Sequence, residues 1–242
     1  MNVESIDLDD LRAMDAQRLL QFAFEQFGAR AAIGTSLQKT GIVMIDLAAR
    51  LGPDFRIFFI DTLLNHPETY QLLEELQQRY RIEIERFYPD PDSLRELTDM
   101  FGQSAHFFNR QMCCRVRKEQ PLQNALATLD VWISGLRSDQ SEHRQRYTKK
   151  ASFVHDVRGR KILKLNPLLD WTDQQIEEYT SSRNLPTNKL YQYVSPYGER
   201  YTIIGCQPCH VPVKDTMPKR MGKFPWEQGV KECGLHSEGG GI

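Results

Sequence analysis

The chain has almost no net charge: 31 Lys and Arg against 32 Asp and Glu leave -1 over 242 residues. Lacking a global positive field, it has no general means of collecting nucleic acid or an anionic membrane, so any anion binding must be local. It also lacks long apolar runs. VMIDLAA (43–49) and RIFFI (56–60) are interrupted by charge well short of the roughly 20 residues a spanning helix needs. The opening MNVESIDLDDLRAMD is acidic where a secretory leader would be basic and then apolar, and a cytoplasmic protein is expected. There is no internal repeat and no low-complexity tract beyond the terminal glycines. Cysteine is scarce and odd in number, five in all. In a reducing compartment that argues against a disulfide framework and for metal binding or catalysis.

What is present is an alternation of buried-strand and helical patterns. Residues 7–27 place Leu11, Met14, Leu19, Phe22 and Phe27 near helical spacing with Gly28 as a stop, which predicts one opening helix. Then come AAIGTS (31–36), a helical stretch at 41–51, RIFFID (56–61), a helical stretch at 67–80, IEIERFY (82–88) and VWISGL (131–136). Helices are expected at PDSLRELTDMFG and RKEQPLQNALATLD, flanking a loop that carries Cys113 and Cys114. This order predicts an α/β fold with a parallel twisted sheet and flanking helices. FVHDVRGRKILKLNPL reads as a hairpin turning at Arg158 and Gly159, followed by a helix that Thr172 can cap. Beyond residue 185 periodicity gives way to Pro186, Pro196, Pro208, Pro212, Pro218 and Pro225. Residues 1–184 are therefore expected to form the α/β domain, with 185–242 a loop-rich segment packed on the same domain.

Ligands of open parallel sheets lie beyond the carboxyl ends of the strands, and four such ends carry polar chemistry. GTSLQKTG (34–41) offers Ser36, Lys39 and a helix N-terminus that suits phosphate, but it is not a Walker loop and reads equally as an ordinary turn. In IDTLLNHPET (60–69), Asp61 and Thr62 suit a base or ribose, or simply cap a turn. GLRSDQSEHRQR (135–146) holds Arg137 and Arg144, suited to bidentate binding of phosphate or sulfate unless the run is a solvated face. The fourth end is CCRVRK (113–118), matched in type by GCQPC (205–209).

Two close-set cysteine pairs indicate four thiolates around zinc or an iron-sulfur cluster. Adjacent cysteines suit a single tetrahedral ion poorly, whereas a four-iron cluster offers each its own corner; this favours the cluster. A redox dithiol at Cys206 and Cys209 is the alternative, with Pro208 and Pro212 against it. Cys233, in KECGLH (231–236), stands among glycines with Lys231 and His236 nearby, which favours thiolate and a delivered nucleophile over a surface accident.

CCRVRK, GLRSDQSEHR, NPLLDWT, IGCQPC and the terminal KECGLH, in that order, resemble the cluster-containing assimilatory adenylylsulfate (APS) reductases, from about residue 30 to residue 236. The resemblance implies a fold of the adenine nucleotide hydrolase type (ATP pyrophosphatase-like). It implies reduction of APS to sulfite and AMP, in which Cys233 forms an S-sulfo intermediate that thioredoxin or a glutaredoxin-like reductant resolves. It implies one [4Fe-4S] cluster on Cys113, Cys114, Cys206 and Cys209. Lys118 would lie between cluster and substrate, His236 would travel with Cys233, and Ser36, Asp61, Thr62, Arg137, Arg144, Arg220 and Lys223 would bind substrate. Homo-oligomerisation is left open. Three positions depart from the family pattern: Leu63 stands where relatives tend to have Gly, Lys223 for an arginine, and Ile203 for a small hydroxyl residue. Two other readings stand beside this one: a reductase accepting the 3'-phosphorylated nucleotide (PAPS), alone or with APS, and a non-catalytic nucleotide-binding protein with a structural metal centre.

Overall fold

Two aspartates divide the predicted opening helix. The computed structural model describes residues 3–52 and 54–228, and in it α1 (Leu8–Ala13) and α2 (Ala16–Phe27) are separate. Asp7 Oδ1 accepts from Asp9 N, and Asp15 Oδ1 accepts from Arg18 N at 2.8 Å. Each carboxylate thereby satisfies an otherwise orphaned helical N–H and starts its own helix. Hydrophobic spacing runs across the break without registering it.

The strands are β1 (Ala31–Thr35), β2 (Arg56–Ile60), β3 (Ile84–Phe87), β4 (Val131–Ser134), β5 (Ala151–His155) and β6 (Lys161–Leu165). They form one sheet in the order β3-β2-β1-β4-β6-β5, parallel except for β5. The β5–β6 hairpin turns where expected, with Gly159 at φ +75° and Asp156 Oδ1 accepting from the N–H groups of Arg158 and Arg160. The helices between them are α3 (Lys39–Ala49), α4 (Pro67–Tyr80), α5 (Pro91–Phe101), α6 (Ala105–Phe108), α7 (Arg110–Cys114), α8 (Gln120–Leu126), α9 (Glu142–Tyr147) and α10 (Asp173–Ser182). Cys113 and Cys114 are therefore not in a loop: they end α7, and a π-helical turn, Arg115–Glu119, joins them to α8. Such turns widen the helix locally and recur at functional sites.

Alternating strand residues feed two cores. Ala31, Ile33, Ile57, Phe59, Ile133 and Leu165 pack with α2, α3 and α4 on one face; Ala32, Phe58, Trp132 and Ile162 pack with α8 on the other. Asp46, buried on α3, accepts from Tyr80 Oη, Tyr179 Oη and Arg183 Nε at 2.7–2.9 Å and so ties α3 to α4 and α10. Chain order runs outward from β1 to β3, then resumes at β4 on the other side of β1. The divergence of loops between β1 and β4 opens a crevice at their carboxyl ends. Among the described residues no helix is long and apolar enough to cross a membrane.

Candidate active site

A cleft of about 490 Å³ occupies that crevice. Its floor depends on Gly34, where a Cβ would come within 2.6 Å of Phe58 Cζ and 2.7 Å of Trp132 Nε1. On one side β1 runs into α3 through Ser36, exposed at the cleft wall, and Leu37, whose φ of +55° is held by Leu37 N donating to Thr35 Oγ1 at 3.0 Å. Gln38 at the N-cap of α3 supplies no side-chain cap, which leaves the first amides of the helix facing the cleft.

The β4 loop contributes Arg137, 3% exposed, whose Nη1 donates to Thr40 Oγ1 at 2.9 Å and whose Nε donates to Asp139 at 3.0 Å. Its Nη2 donates to Asp173, the first residue of α10, and Lys219 donates to the same carboxylate. Burial opposes the Asp173 charge, yet the Lys219 hydrogen bond and the charge of Arg137 prevail and hold its carboxyl below the ordinary range. Arg144, buried on α9, donates to Gln140 Oε1. These arginines are packed inside the wall, not set on a solvated face.

The opposite wall comes from the cysteine segments. Arg117 Nη1 donates to Thr62 O at 2.8 Å, Thr62 Oγ1 lies 3.3 Å from Cys206 Sγ, and Gln207 N donates to Leu64 O at 2.7 Å. Phe224 N donates to Cys209 O at 2.9 Å and Val211 N donates to Gly222 O at 2.9 Å, which carries Arg220 and Lys223 to the same wall. Gly222 is needed there because a Cβ would sit 2.2 Å from Val211 O. Three stretches distant in the chain, 61–65, 113–118 and 205–224, are thus stitched together, and Lys118 projects from the second into the cleft.

Asp61 has a different place. It is fully buried and does not line the cleft: Oδ1 accepts from Leu63 N, Asn65 Nδ2 and Tyr70 Oη at 2.8–3.2 Å, and Oδ2 accepts from Arg86. With both oxygens engaged, it shapes the loop that presents Thr62. Ser36, Thr62, Lys118, Arg137, Arg144, Arg220 and Lys223 do line the cleft, together with Cys206. Cys233 and His236 lie outside the described residues. The sequence reading missed Trp132, Gln140, Asp173, Tyr191 and Lys219 on the wall; of these only Asp173 left a signal, as the residue after the Thr172 cap.

Cys113, Cys114, Cys206 and Cys209 are all buried thiols. Burial pushes the Cys113 thiol up, the charge of Arg117 opposes this, Cys206 adds to the rise, and Lys118 again lowers it. Cys113 therefore feels Cys206 across the seam, with cations alongside. Four thiols contributed by two segments suit a soft metal centre, whose positive charge would offset the cost of burying thiolates. Among the described residues no group of three or more His, Cys, Asp and Glu is arranged to hold a metal ion. His210, beside Cys209, is driven down to about 3 by burial, aided by Lys118 and Lys223.

The phosphoadenosine phosphosulfate reductase domain family matches residues 30–212. The chain is 33% identical over 236 residues to the adenosine 5'-phosphosulfate reductase of Staphylococcus haemolyticus, covering 97% of this chain and 91% of that protein. It is 36% identical over 225 residues to the adenosine 5'-phosphosulfate reductase of Neisseria meningitidis serogroup A, covering 91% and 87%. Among solved structures, a phosphoadenylyl-sulfate (PAPS) reductase from Candida auris superposes with a TM-score of 0.69 at 24% identity, covering 86% of this chain and 98% of that one. The FMN adenylyltransferase of Candida glabrata superposes at 0.56 and 14% identity, covering 93% and 73%. The structural likenesses bear out the expected fold of the adenine nucleotide hydrolase type. The family match and the extent of the sequence identity go further: this chain belongs to the phosphoadenosine phosphosulfate reductase domain family.

Proposed function

We propose that this chain reduces APS to sulfite and AMP in sulfate assimilation, through a sulfur-transfer intermediate on Cys233. The observation that carries the reading is the cleft at the carboxyl ends of β1 and β4, where Lys118, Arg137, Arg144, Arg220 and Lys223 converge beside Cys206. A thiolate approaching a dianionic phosphosulfate must overcome like charge, and negative charge grows on the departing phosphate as the S–O bond breaks. Fixed cations at both ends meet that demand.

In this scheme the Cys233 thiolate attacks the sulfate sulfur, the S–O bond to phosphate breaks, and AMP departs with the electron pair. The product on the chain is a cysteine S-sulfonate. A dithiol reductant of the thioredoxin or glutaredoxin type then attacks the Cys233 sulfur, expels sulfite and closes its own disulfide, supplying both electrons. Ser36 and the α3 amides hold phosphate oxygens, Thr62 borders the nucleoside, and His236 accompanies Cys233. Asp61 acts at one remove, by fixing the Thr62 loop.

Cys113, Cys114, Cys206 and Cys209 would hold a [4Fe-4S] cluster, a fit supported by their burial, the influence of Cys206 on Cys113, and the neighbouring Arg117 and Lys118. When bound, it supplies a fixed soft-metal centre that locks the Lys118 segment to the Cys206 segment and tunes the local field. Lys39, Arg200 and Lys219, also on the cleft wall, favour a second reading in which the 3'-phosphorylated nucleotide is accepted as well.

The test is incubation with APS labelled in its sulfur. Label attached to the protein and released as sulfite by a dithiol supports the scheme. Equal attachment to Cys233→Ser would remove the proposed nucleophile, and no attachment with no sulfite formed would leave the non-catalytic reading. Relative kcat/KM for the two nucleotides decides between the substrate readings.

A further inference from the structure

Asp173 ties the two walls of the cleft together. It is the first residue of α10, and its carboxylate accepts from Arg137 Nη2 on the β4 side and from Lys219 on the segment that forms the opposite wall. The helix does not need that carboxylate as a cap. Thr172 Oγ1 accepts from Gln175 N at 3.2 Å, Thr172 N donates to Gln175 Oε1 at 2.8 Å, and Asp173 N donates to Asp139 Oδ2 at 2.7 Å. These bonds fix the start of α10 without the Asp173 side chain, which is left for another task.

Each of the three guanidinium nitrogens of Arg137 already donates within the protein, to Asp139, Thr40 and Asp173. Two of these acceptors are built in: Thr40 belongs to the first turn of α3, and the second oxygen of Asp139 holds the α10 backbone. The Asp173 carboxylate is different. Its side chain is 48% exposed, and that of its other partner, Lys219, is 66% exposed, so water screens this link and it is weakly held. A guanidinium set against the first turn of α3, with an ammonium beside it, is also the environment that suits a phosphate or sulfate. We propose that the Asp173 carboxylate holds the place of the substrate's anionic end in the free chain, and that APS binds by displacing it from Arg137 and Lys219. This rests on the function proposed above. Displacement turns the carboxylate to solvent and releases both cations to the phosphosulfate. It also makes entry selective, because an inorganic anion must displace the competitor unaided, whereas a nucleotide adds its adenosine contacts to the exchange. Affinity for APS is then lower than the cations alone would give, by the cost of the exchange.

The experiment measures calorimetric binding of APS to the full chain carrying Cys233→Ser, which prevents turnover, with and without Asp173→Asn. Removing one like charge about 4 Å from the anion is worth about tenfold, so the double variant is expected to bind APS about tenfold tighter. Adenosine, which has no anionic end, should bind both chains alike. A gain in affinity for APS alone is a result that a merely structural role for Asp173 does not produce. Affinity for APS unchanged or lowered, or an equal gain for adenosine, would overturn the inference alone. A structure of the Cys233→Ser chain with APS bound is a second measurement that needs no change at Asp173. Arg137 and Lys219 should then donate to phosphosulfate oxygens with Asp173 turned away, and an Asp173 carboxylate still seated on Arg137 would overturn the inference. Failure of APS to bind either chain would overturn the functional reading and the inference with it.

Discussion

Asp61→Asn is the substitution that most directly tests how the Thr62 loop is held. The carboxylate is 0% exposed and its partner Arg86 is 37% exposed at the side chain. Asparagine keeps an oxygen for Leu63 N, Asn65 and Tyr70, but it turns an amide donor toward the Arg86 guanidinium and removes the ion pair. Breaking a buried pair by deleting one member costs about 3–5 kcal/mol when the survivor stays buried and uncompensated. Arg86 is not so confined: it reaches solvent and lies 5.4 and 5.2 Å from the ring centroids of Tyr70 and Tyr88. The expected loss is therefore about 2–3 kcal/mol, or roughly 4–12 °C in Tm for a chain of this size. Arg86→Leu leaves the fully buried Asp61 charge with no way out and should cost more, about 3–5 kcal/mol. Urea denaturation with an unchanged m-value measures both. Asp61→Asn within about 0.5 kcal/mol of the parent, or Arg86→Leu milder than Asp61→Asn, would refute the view that Asp61 is a buried anchor. Because the loop also pairs with Cys206 through Asn65 and with Gln207 through Leu64, iron content should fall alongside stability if the proposed cluster is present.

Lys164 gives a pH signature in stability. Its folded pKa is about 7 against 10.5 for the unfolded group, so between those values the unfolded chain holds a proton that the folded chain lacks. Stability contributed by this group therefore rises with pH across that window, by up to about 1.4 kcal/mol per pH unit, and Lys164→Met should flatten the rise in denaturation midpoints. Gly34→Ala drives a Cβ into Phe58 and Trp132 and should cost about 1–3 kcal/mol while raising KM for the nucleotide more than any substitution on the outer cleft wall. Cys206→Ser should abolish iron and acid-labile sulfide in anaerobically purified protein while circular dichroism stays close to that of the parent; retained iron and sulfide would remove Cys206 from the proposed ligand set.

Legibility in the sequence followed the range of the interaction concerned. Strands β1, β2 and β4, the hairpin at Gly159 and the Thr172 cap could be read because periodicity and turn chemistry act over a few residues. The opening helix was misjudged because Asp7 and Asp15 were treated as ordinary polar positions, although each caps a separate helix. The adjacent cysteines were placed in a loop because a π-helical turn has no compositional signature. Arg137 and Arg144 read as candidates for binding phosphate or sulfate, with a solvated charge run as the alternative. Only the partners that the fold brings to them, Thr40 and Asp173 for the one and Gln140 for the other, make them walls of a cleft.

Leu63 and Lys164 show why the remainder stayed hidden. Leu63 stands where family members tend to carry glycine, and its φ is +59°, a conformation that costs an L-residue about 1–2 kcal/mol. The departure from the family pattern is thus a backbone matter: Asp61 Oδ1 accepts from Leu63 N at 3.0 Å and holds the turn that glycine would adopt unaided. The side chain is 47% exposed, so the substitution changes the loop's strain and not the cleft's lining. Lys164 sits in KILKL, between Leu163 and Leu165 on a strand buried along nearly all its length. The hairpin reading placed the strand, but nothing in those five residues tells that the lysine is 2% exposed. A site assembled from strand ends is decided by which loops cover them, and that choice is made by contacts between residues too far apart for any local pattern to record.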